Sequence, residues 1–270
     1  FESNINKWNE DKISGYLVLG SNSETVYLTE KEKLKLVEIT VKTAAAGRHV
    51  IVGSGHESLC ESIRFTNLSA KKGCGSALVL TPFYYGAAMT SEALIKYFSE
   101  LADNSDIPIM IYNVPKFTHL NIKVDAVREL AKHPNIIGIK DSSGDVPQLA
   151  TFKRTVPEDF KLLVGTASAW YPALTFGIRA GIMALANCSP NECAAVQEAY
   201  DAGEDKKAYE RYQKIFPLNT AVTGTFGIAG LKYACTKLGY TGGSVRSPLL
   251  PFAEENKAVL DEMIVKALNG

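Results

Sequence analysis

The sequence predicts an α/β protein of parallel strands, a (β/α)8 TIM barrel with a C-terminal helical extension, and three observations carry that expectation. Short apolar, β-branched runs recur along the chain, each followed by a turn and then by a longer segment of helical periodicity, the rhythm of βα units. The runs are near-continuously apolar, as strands buried on both faces are, which narrows the choice to an open doubly wound sheet or a closed barrel. Beyond the last run the pattern changes to helices alone.

Taken in order, the chain opens with Phe1, Ile5 and Trp8 at helical spacing, as though entering inside a first crossover helix. Seven strands are expected: Tyr16 to Leu19, Val50 to Val52, Ala77 to Leu80, Ile109 to Val114, Ile136 to Ile139, Leu162 to Val164, and Ile182 to Ala186. Eight units close a barrel, so the first strand is expected to lie outside this sequence, before Phe1. Between the runs, Thr29 to Ala46 reads as a helix. Thr29 and Glu32 make a capping box there, and Leu34, Val37, Val41 and Ala44 fall on one face. Ser91 to Asn104 behaves alike. The tail reads as four helices, roughly Asn191 to Ala202, Asp205 to Leu218, Phe226 to Leu238 and Ala253 to Leu268. The expected division is a barrel over 1–189 and a helical extension of the same unit over 190–270.

The 270 residues are 46% hydrophobic, with 29 basic and 29 acidic side chains, so the chain can bury a large core and reads as a single soluble unit. The balanced charge, without a basic stripe bearing interleaved aromatics, argues against nucleic acid as a partner. No apolar run approaches the roughly 18 residues needed to span a bilayer, so a membrane partner is not expected. Five cysteines with no CxxC pair fit reduced thiols and an intracellular setting, the cytoplasm or the mitochondrial matrix. His49, His56, His119 and His133 show no HxxxH or HxH spacing, which speaks against a metal centre. Gly53-Ser54-Gly55 lacks the third glycine of a dinucleotide loop.

In a parallel barrel the active site forms where strands run into their helices. Those junctions hold Gly20-Ser21-Asn22-Ser23-Glu24, Gly53 to Glu57, Thr81-Pro82-Phe83-Tyr84-Tyr85, Tyr112 to Pro115, Lys140-Asp141-Ser142, Gly165-Thr166-Ala167 and Asn187 to Ser189. The opposite junctions carry Lys12, Arg48, Lys161 and Arg179. Lys140 is the most telling of these residues. It ends the apolar run Ile136 to Ile139, and burial there disfavours the ammonium form and leaves an amine able to attack a carbonyl and form a Schiff base. Such chemistry also needs a proton shuttle, for which Tyr112 is the candidate, and a clamp for the carboxylate of an oxo acid, for which Ser21 and Asn22 supply hydroxyl, amide and backbone donors. It needs no metal and no organic cofactor.

The segments GSNSE (Gly20 to Glu24), TPFYY (Thr81 to Tyr85), YNVP (Tyr112 to Pro115) and GIKDSSGD (Gly138 to Asp145) resemble, in order, the motifs of the dihydrodipicolinate synthase and N-acetylneuraminate lyase superfamily. In the tail, Asn219 to Val222, Phe226 to Lys232 and Gly239 to Gly243 are most similar to the 4-hydroxy-2-oxoglutarate aldolase branch. The resemblance implies a lyase in which Lys140 forms an imine with pyruvate or another 2-oxo acid and Tyr112 is the acid/base. It further implies that Ser21 and Asn22 hold the carboxylate, that Ser142 lines the substrate channel, and that Gly165 is a backbone position near the pyruvyl group. Tyr84, with Tyr85 as the weaker candidate, matches a relay tyrosine lent to a neighbouring subunit's site, in a homotetramer built as a dimer of dimers. Two positions depart from the pattern. Ser23 stands where glycine is usual, and a positive φ there would cost on the order of 1 kcal/mol. Phe117 stands where the synthases carry an arginine for the second substrate's carboxylate. The favoured activity is therefore cleavage of 4-hydroxy-2-oxoglutarate to pyruvate and glyoxylate. The alternatives are dihydrodipicolinate synthesis from pyruvate and aspartate semialdehyde, and a non-catalytic 2-oxo-acid-binding pseudo-enzyme on the same barrel.

Overall fold

The computed structural model of the chain describes residues 1–268. A short helix α1 (Glu2–Trp8) precedes seven parallel strands: β1 (Gly15–Val18), β2 (His49–Gly53), β3 (Ser76–Leu80), β4 (Ile109–Asn113), β5 (Ile136–Asp141), β6 (Lys161–Val164) and β7 (Ala180–Gly181). They pair in chain order, β1 to β7, every neighbour parallel. The crossovers carry α2 (Glu30–Thr43), α3 (Leu59–Lys71), α4 (Ser91–Asp103), α5 (Pro115–Thr118), α6 (Val124–Leu130), α7 (Val146–Thr155) and α8 (Trp170–Thr175). The tail forms α9 (Pro190–Asp201), α10 (Asp205–Thr220), α11 (Gly227–Lys237) and α12 (Lys257–Leu268), with a π-helical turn at Ala221–Thr225.

Alternation along the strands divides two cores. Leu17, Ile51, Leu78, Met110 and Leu163 point into the curl of the sheet, together with Tyr112. Val18, Val50, Val52, Ala77, Val79, Ile109, Ile111, Ile139, Leu162 and Val164 face outward under the helices. No ladder joins β7 to β1 among the described residues. The two edges are instead tied by the segment around α1, where the Trp8 indole donates to the Asn187 carbonyl (3.1 Å) and the Lys12 backbone donates to Asn191 (3.0 Å).

The expected capping box is present. Thr29 accepts from the Glu32 backbone, and the Glu32 carboxylate accepts from the Thr29 backbone, an arrangement worth about 1 kcal/mol. Most strand expectations agree within a residue or two, and the last needs correction. Ile182 still donates to Val164 (2.8 Å), but the strand itself is only Ala180–Gly181, and Ala184–Asn187 turns as a 3₁₀ helix. The run from Ile182 to Ala186 is apolar because it is buried, and burial alone does not separate a strand from a short helix. A second departure is a register shift between Ile109 and Met110, which pair with Ile136 and Gly138. Ile137 is the extra residue, and it packs inside with Met110. No helix is long and apolar enough to cross a membrane among the described residues.

Candidate active site

β4 and β5 place Tyr112 and Lys140 opposite each other in register, both on the inner face and both only 6% exposed. Lys140 Nζ lies 4.3 Å from the centroid of the Tyr112 ring, and among the described residues no carboxylate pairs with it. From the turn after β1, Ser21 Oγ stands 3.4 Å from the Tyr112 hydroxyl. An amine, a phenol and a hydroxyl from three different strand ends thus meet at the carboxyl end of the sheet. Burial alone would push the Tyr112 phenol up. The Lys140 charge against its ring, with the Ser21 contact, outweighs burial and holds the phenol below the ordinary tyrosine value.

The remaining expected residues are placed as follows. Ser142 follows β5, and its backbone N–H donates to the Asn113 carbonyl (2.8 Å), whereas its Oγ is buried and meets no partner at hydrogen-bond geometry among the described residues. The same hydroxyl lies close enough to the Tyr112 phenol to help lower it. Gly165 donates to the Asp141 carbonyl (2.7 Å) and packs so closely that an added Cβ would sit 1.8 Å from Ser142 Oγ. Asn22 shares the turn with Ser21, but it is exposed and makes no side-chain hydrogen bond among the described residues. Tyr84 is 76% exposed. Its backbone is held by Glu57 Oε2 (3.0 Å), its ring packs edge-on against Tyr85 (centroids 5.1 Å apart), and its hydroxyl makes no hydrogen bond within the chain among the described residues.

The doubt over Ser23 is resolved by the backbone. The positive φ angles in this turn fall at Leu19 (64°) and Glu24 (53°), not at Ser23. Leu19 is a bulky residue in the left-handed region, a conformation that costs roughly 1–2 kcal/mol. The turn is held against this by Glu24, 5% exposed, whose carboxylate pairs with Lys232 of α11 (2.5 Å) and accepts from the Arg246 backbone (2.6 Å). The helical tail therefore braces the turn that carries Ser21.

Phe117 is 49% exposed at the start of the β4 crossover. Arg246 reaches the turn after β1 through Glu24, and its guanidinium is engaged by Glu32 (2.6 Å). Lys116, beside Phe117, donates to the Thr223 carbonyl of the π-helical turn (2.5 Å). Asn219 of α10 reaches Thr166 Oγ1 (3.4 Å), and its own side-chain carbonyl oxygen is buried without a partner among the described residues. Sequence reasoning missed Glu24, Asn113, Asp141 and Asn219. All four sit inside the quoted segments, and for Asn113 and Asp141 a polar residue at a strand end was the available signal.

No group of three or more His, Cys, Asp or Glu residues suited to a metal ion occurs among the described residues. The five cysteines are unpaired, and burial pushes Cys74 to about 11 and Cys193 to about 12, which leaves both as inert packing thiols.

The model of the dihydrodipicolinate synthetase family matches residues 2–267. The chain belongs to this family. It is 34% identical over 251 residues to a 4-hydroxy-tetrahydrodipicolinate synthase of Ruegeria pomeroyi, covering 92% of the chain and 85% of that protein. A dihydrodipicolinate synthase from Bacillus anthracis superposes with a TM-score of 0.93 at 27% identity, covering 97% of this chain and 89% of that one. A prophage protein of the family from E. coli K12, solved in complex with pyruvate, superposes with a TM-score of 0.91 at 25% identity, covering 98% and 91%. These similarities agree with the superfamily the motifs implied, but the relatives are named as synthases and not as 4-hydroxy-2-oxoglutarate aldolases.

Proposed function

We propose that the protein is a lyase that forms a Schiff base between Lys140 and a 2-oxo acid, pyruvate or its aldol adduct. The observation that carries this reading is the buried Lys140 amine over the Tyr112 ring, in register with it across two strands and without a carboxylate partner among the described residues. The pyruvate complex of the E. coli relative supports the same class of ligand. Lys140 attacks the 2-oxo carbon, Tyr112 carries the protons of carbinolamine formation and dehydration, and water leaves to give a protonated imine. In the cleavage direction the C4 hydroxyl loses its proton and the C3–C4 bond breaks. Its electron pair passes into the imine as an enamine, which is protonated at C3 and hydrolysed to release pyruvate. Ser21 and Asn22 are assigned to the substrate's carboxylate, and the Gly165 backbone to a position near the pyruvyl group. Tyr84 from a neighbouring subunit is assigned to the relay, for which its exposure in the single chain leaves it free.

The preferred substrate in this reading is 4-hydroxy-2-oxoglutarate, cleaved to pyruvate and glyoxylate. It is favoured by Phe117, which stands where the synthases carry the arginine that anchors the carboxylate of aspartate semialdehyde. The second reading is 4-hydroxy-tetrahydrodipicolinate synthesis, which the names of the relatives favour. Steady-state kinetics of the purified protein separate them. A higher kcat/KM for 4-hydroxy-2-oxoglutarate cleavage than for condensation of pyruvate with aspartate semialdehyde supports the first reading, and the reverse order establishes the second. Activity on neither, with pyruvate still bound, leaves the pseudo-enzyme.

A further inference from the structure

The outer face of the sheet is apolar along β4 and β5 until the last residue of each strand. Ile109 and Ile111 on β4, and Ile136 and Ile139 on β5, lie in the apolar layer beneath the helices. The alternation then ends in Asn113 (0% exposed) and Asp141 (1% exposed), which are cross-strand partners. Their register places them one residue beyond Tyr112 and Lys140, on the opposite side of the same wall.

Asn113 Nδ2 donates to Asp141 Oδ1 at 2.6 Å. The other carboxylate oxygen accepts from Ser143 Oγ (2.6 Å), and Gln148 Nε2 adds a weaker contact to Oδ1 (3.3 Å). Asn113 Oδ1 accepts from the Ile122 backbone (3.1 Å), and its amide also meets Asn121 (2.8 Å), which is paired with Gln148 (2.9 Å). Four segments are thereby joined: the end of β4, the loop at Asn121, the end of β5 and the start of α7. No lysine, arginine or histidine forms an ion pair with Asp141 among the described residues. Burial pushes its carboxyl up, and the Ser143, Asn113 and Gln148 donors work against that rise.

A carboxylate in an apolar wall costs desolvation that hydrophobic packing would avoid. What it provides here is geometry. A ladder frays at its last rung, and the rung that sets the distance between Tyr112 and Lys140 is the next to last. We propose that Asp141 is a positioning residue: clamped to Asn113 on the outer face, it fixes the spacing of Tyr112 and Lys140 on the inner face. This rests on the Schiff-base reading above, because only that reading requires the amine and the phenol to be held in one geometry.

The test compares Asp141→Ala and Asp141→Asn with the parent protein in three readouts: turnover of the substrate the parent prefers, borohydride trapping of pyruvate on Lys140, and the thermal midpoint. An asparagine keeps an acceptor for Asn113 and a polar group for Ser143 but removes the charge. The expected result is a kcat for Asp141→Ala lower by about 10²-fold, the scale of an ångström's misplacement, with KM changed by less than about threefold. Asp141→Asn should return kcat to within about tenfold of the parent, as a geometric role requires. Equal losses in both variants overturn the proposal in favour of a charge effect. A lowered thermal midpoint with unaltered kcat in Asp141→Ala overturns it in favour of a purely structural role. If Asp141→Ala does not fold, Gln148→Ala removes one donor from the solvent side and should lower kcat several-fold, and an unchanged kcat overturns the clamp. A parent protein that traps no pyruvate overturns the Schiff-base reading itself, whereas a trapping parent with fully active Asp141→Ala overturns only the clamp.

Discussion

Replacing Gly165 by alanine tests the closeness of the β5 and β6 ends, which the site geometry depends on. A Cβ at this position meets Ser142 Oγ at 1.8 Å, Ser142 Cβ at 2.7 Å and the Asp141 carbonyl oxygen at 2.9 Å. The hydroxyl can rotate away, but the other two atoms belong to the strand end that follows Lys140. To restore ordinary contact at 3.4 Å the two segments must part by about 0.7 Å. That displacement strains the 2.7 Å bond from the Gly165 N–H to the Asp141 carbonyl. Overpacking of this kind costs about 1–3 kcal/mol, and a weakened buried hydrogen bond about 1 kcal/mol more. The thermal midpoint should fall by several degrees. Turnover should fall by roughly 10- to 100-fold, because the shifted backbone carries both Ser142 and Lys140. Adding Ser142→Gly removes the two nearest contacts and should recover most of the stability. Thermal unfolding and steady-state kinetics on the parent and the two variants decide the matter. A Gly165→Ala protein equal to the parent in both would show that the strand ends have slack, and the packing argument would be wrong.

Tyr112→Phe removes the hydroxyl and keeps the ring, so turnover should drop by roughly 10²- to 10⁴-fold with little change in stability at neutral pH. Because the folded Tyr112 phenol titrates below the unfolded value of about 10, folding favours the phenolate. Its contribution to stability is therefore present above that unfolded value and is lost as pH falls through the folded one. An ultraviolet phenolate titration of parent minus variant should show a component ionising below the ordinary tyrosine range, and a component at or above it contradicts the assignment. Phe117→Arg should move the ratio of kcat/KM values toward condensation with aspartate semialdehyde, and an unmoved ratio would show that this position does not meet the second substrate. Mixed oligomers of inactive Lys140→Arg and Tyr84→Phe chains should regain activity if Tyr84 serves a neighbouring site. No regain, in oligomers shown to be mixed, removes that role.

Six of the seven strands were legible because parallel strands buried on both faces must be apolar and β-branched, and their ends mark the rim where Ser21, Tyr112 and Lys140 converge. The seventh was misplaced because the buried run after Gly181 turns into a 3₁₀ helix, and apolarity carries no sign of that turn. The register shift at Ile137 was hidden for a similar reason: an extra apolar residue in an apolar strand leaves no trace in the pattern. Nor does a sequence disclose that Leu19 and Glu24 take the left-handed conformation while Ser23 does not. The braces were legible only in part. Asn113 and Asp141 break an outward apolar alternation, a signal open to reading, whereas the pairing of Glu24 with Lys232 joins residues more than 200 positions apart, which no local pattern records.

The most direct test of the account is reductive trapping. Purified protein treated with pyruvate and borohydride should gain one 1-carboxyethyl adduct per chain, and peptide mapping should place it on Lys140. Lys140→Arg should take up none while keeping its fold. An adduct mapped to another lysine, or no adduct under conditions that label a known Schiff-base aldolase, would contradict the assignment of Lys140 and with it the chemistry proposed for this site.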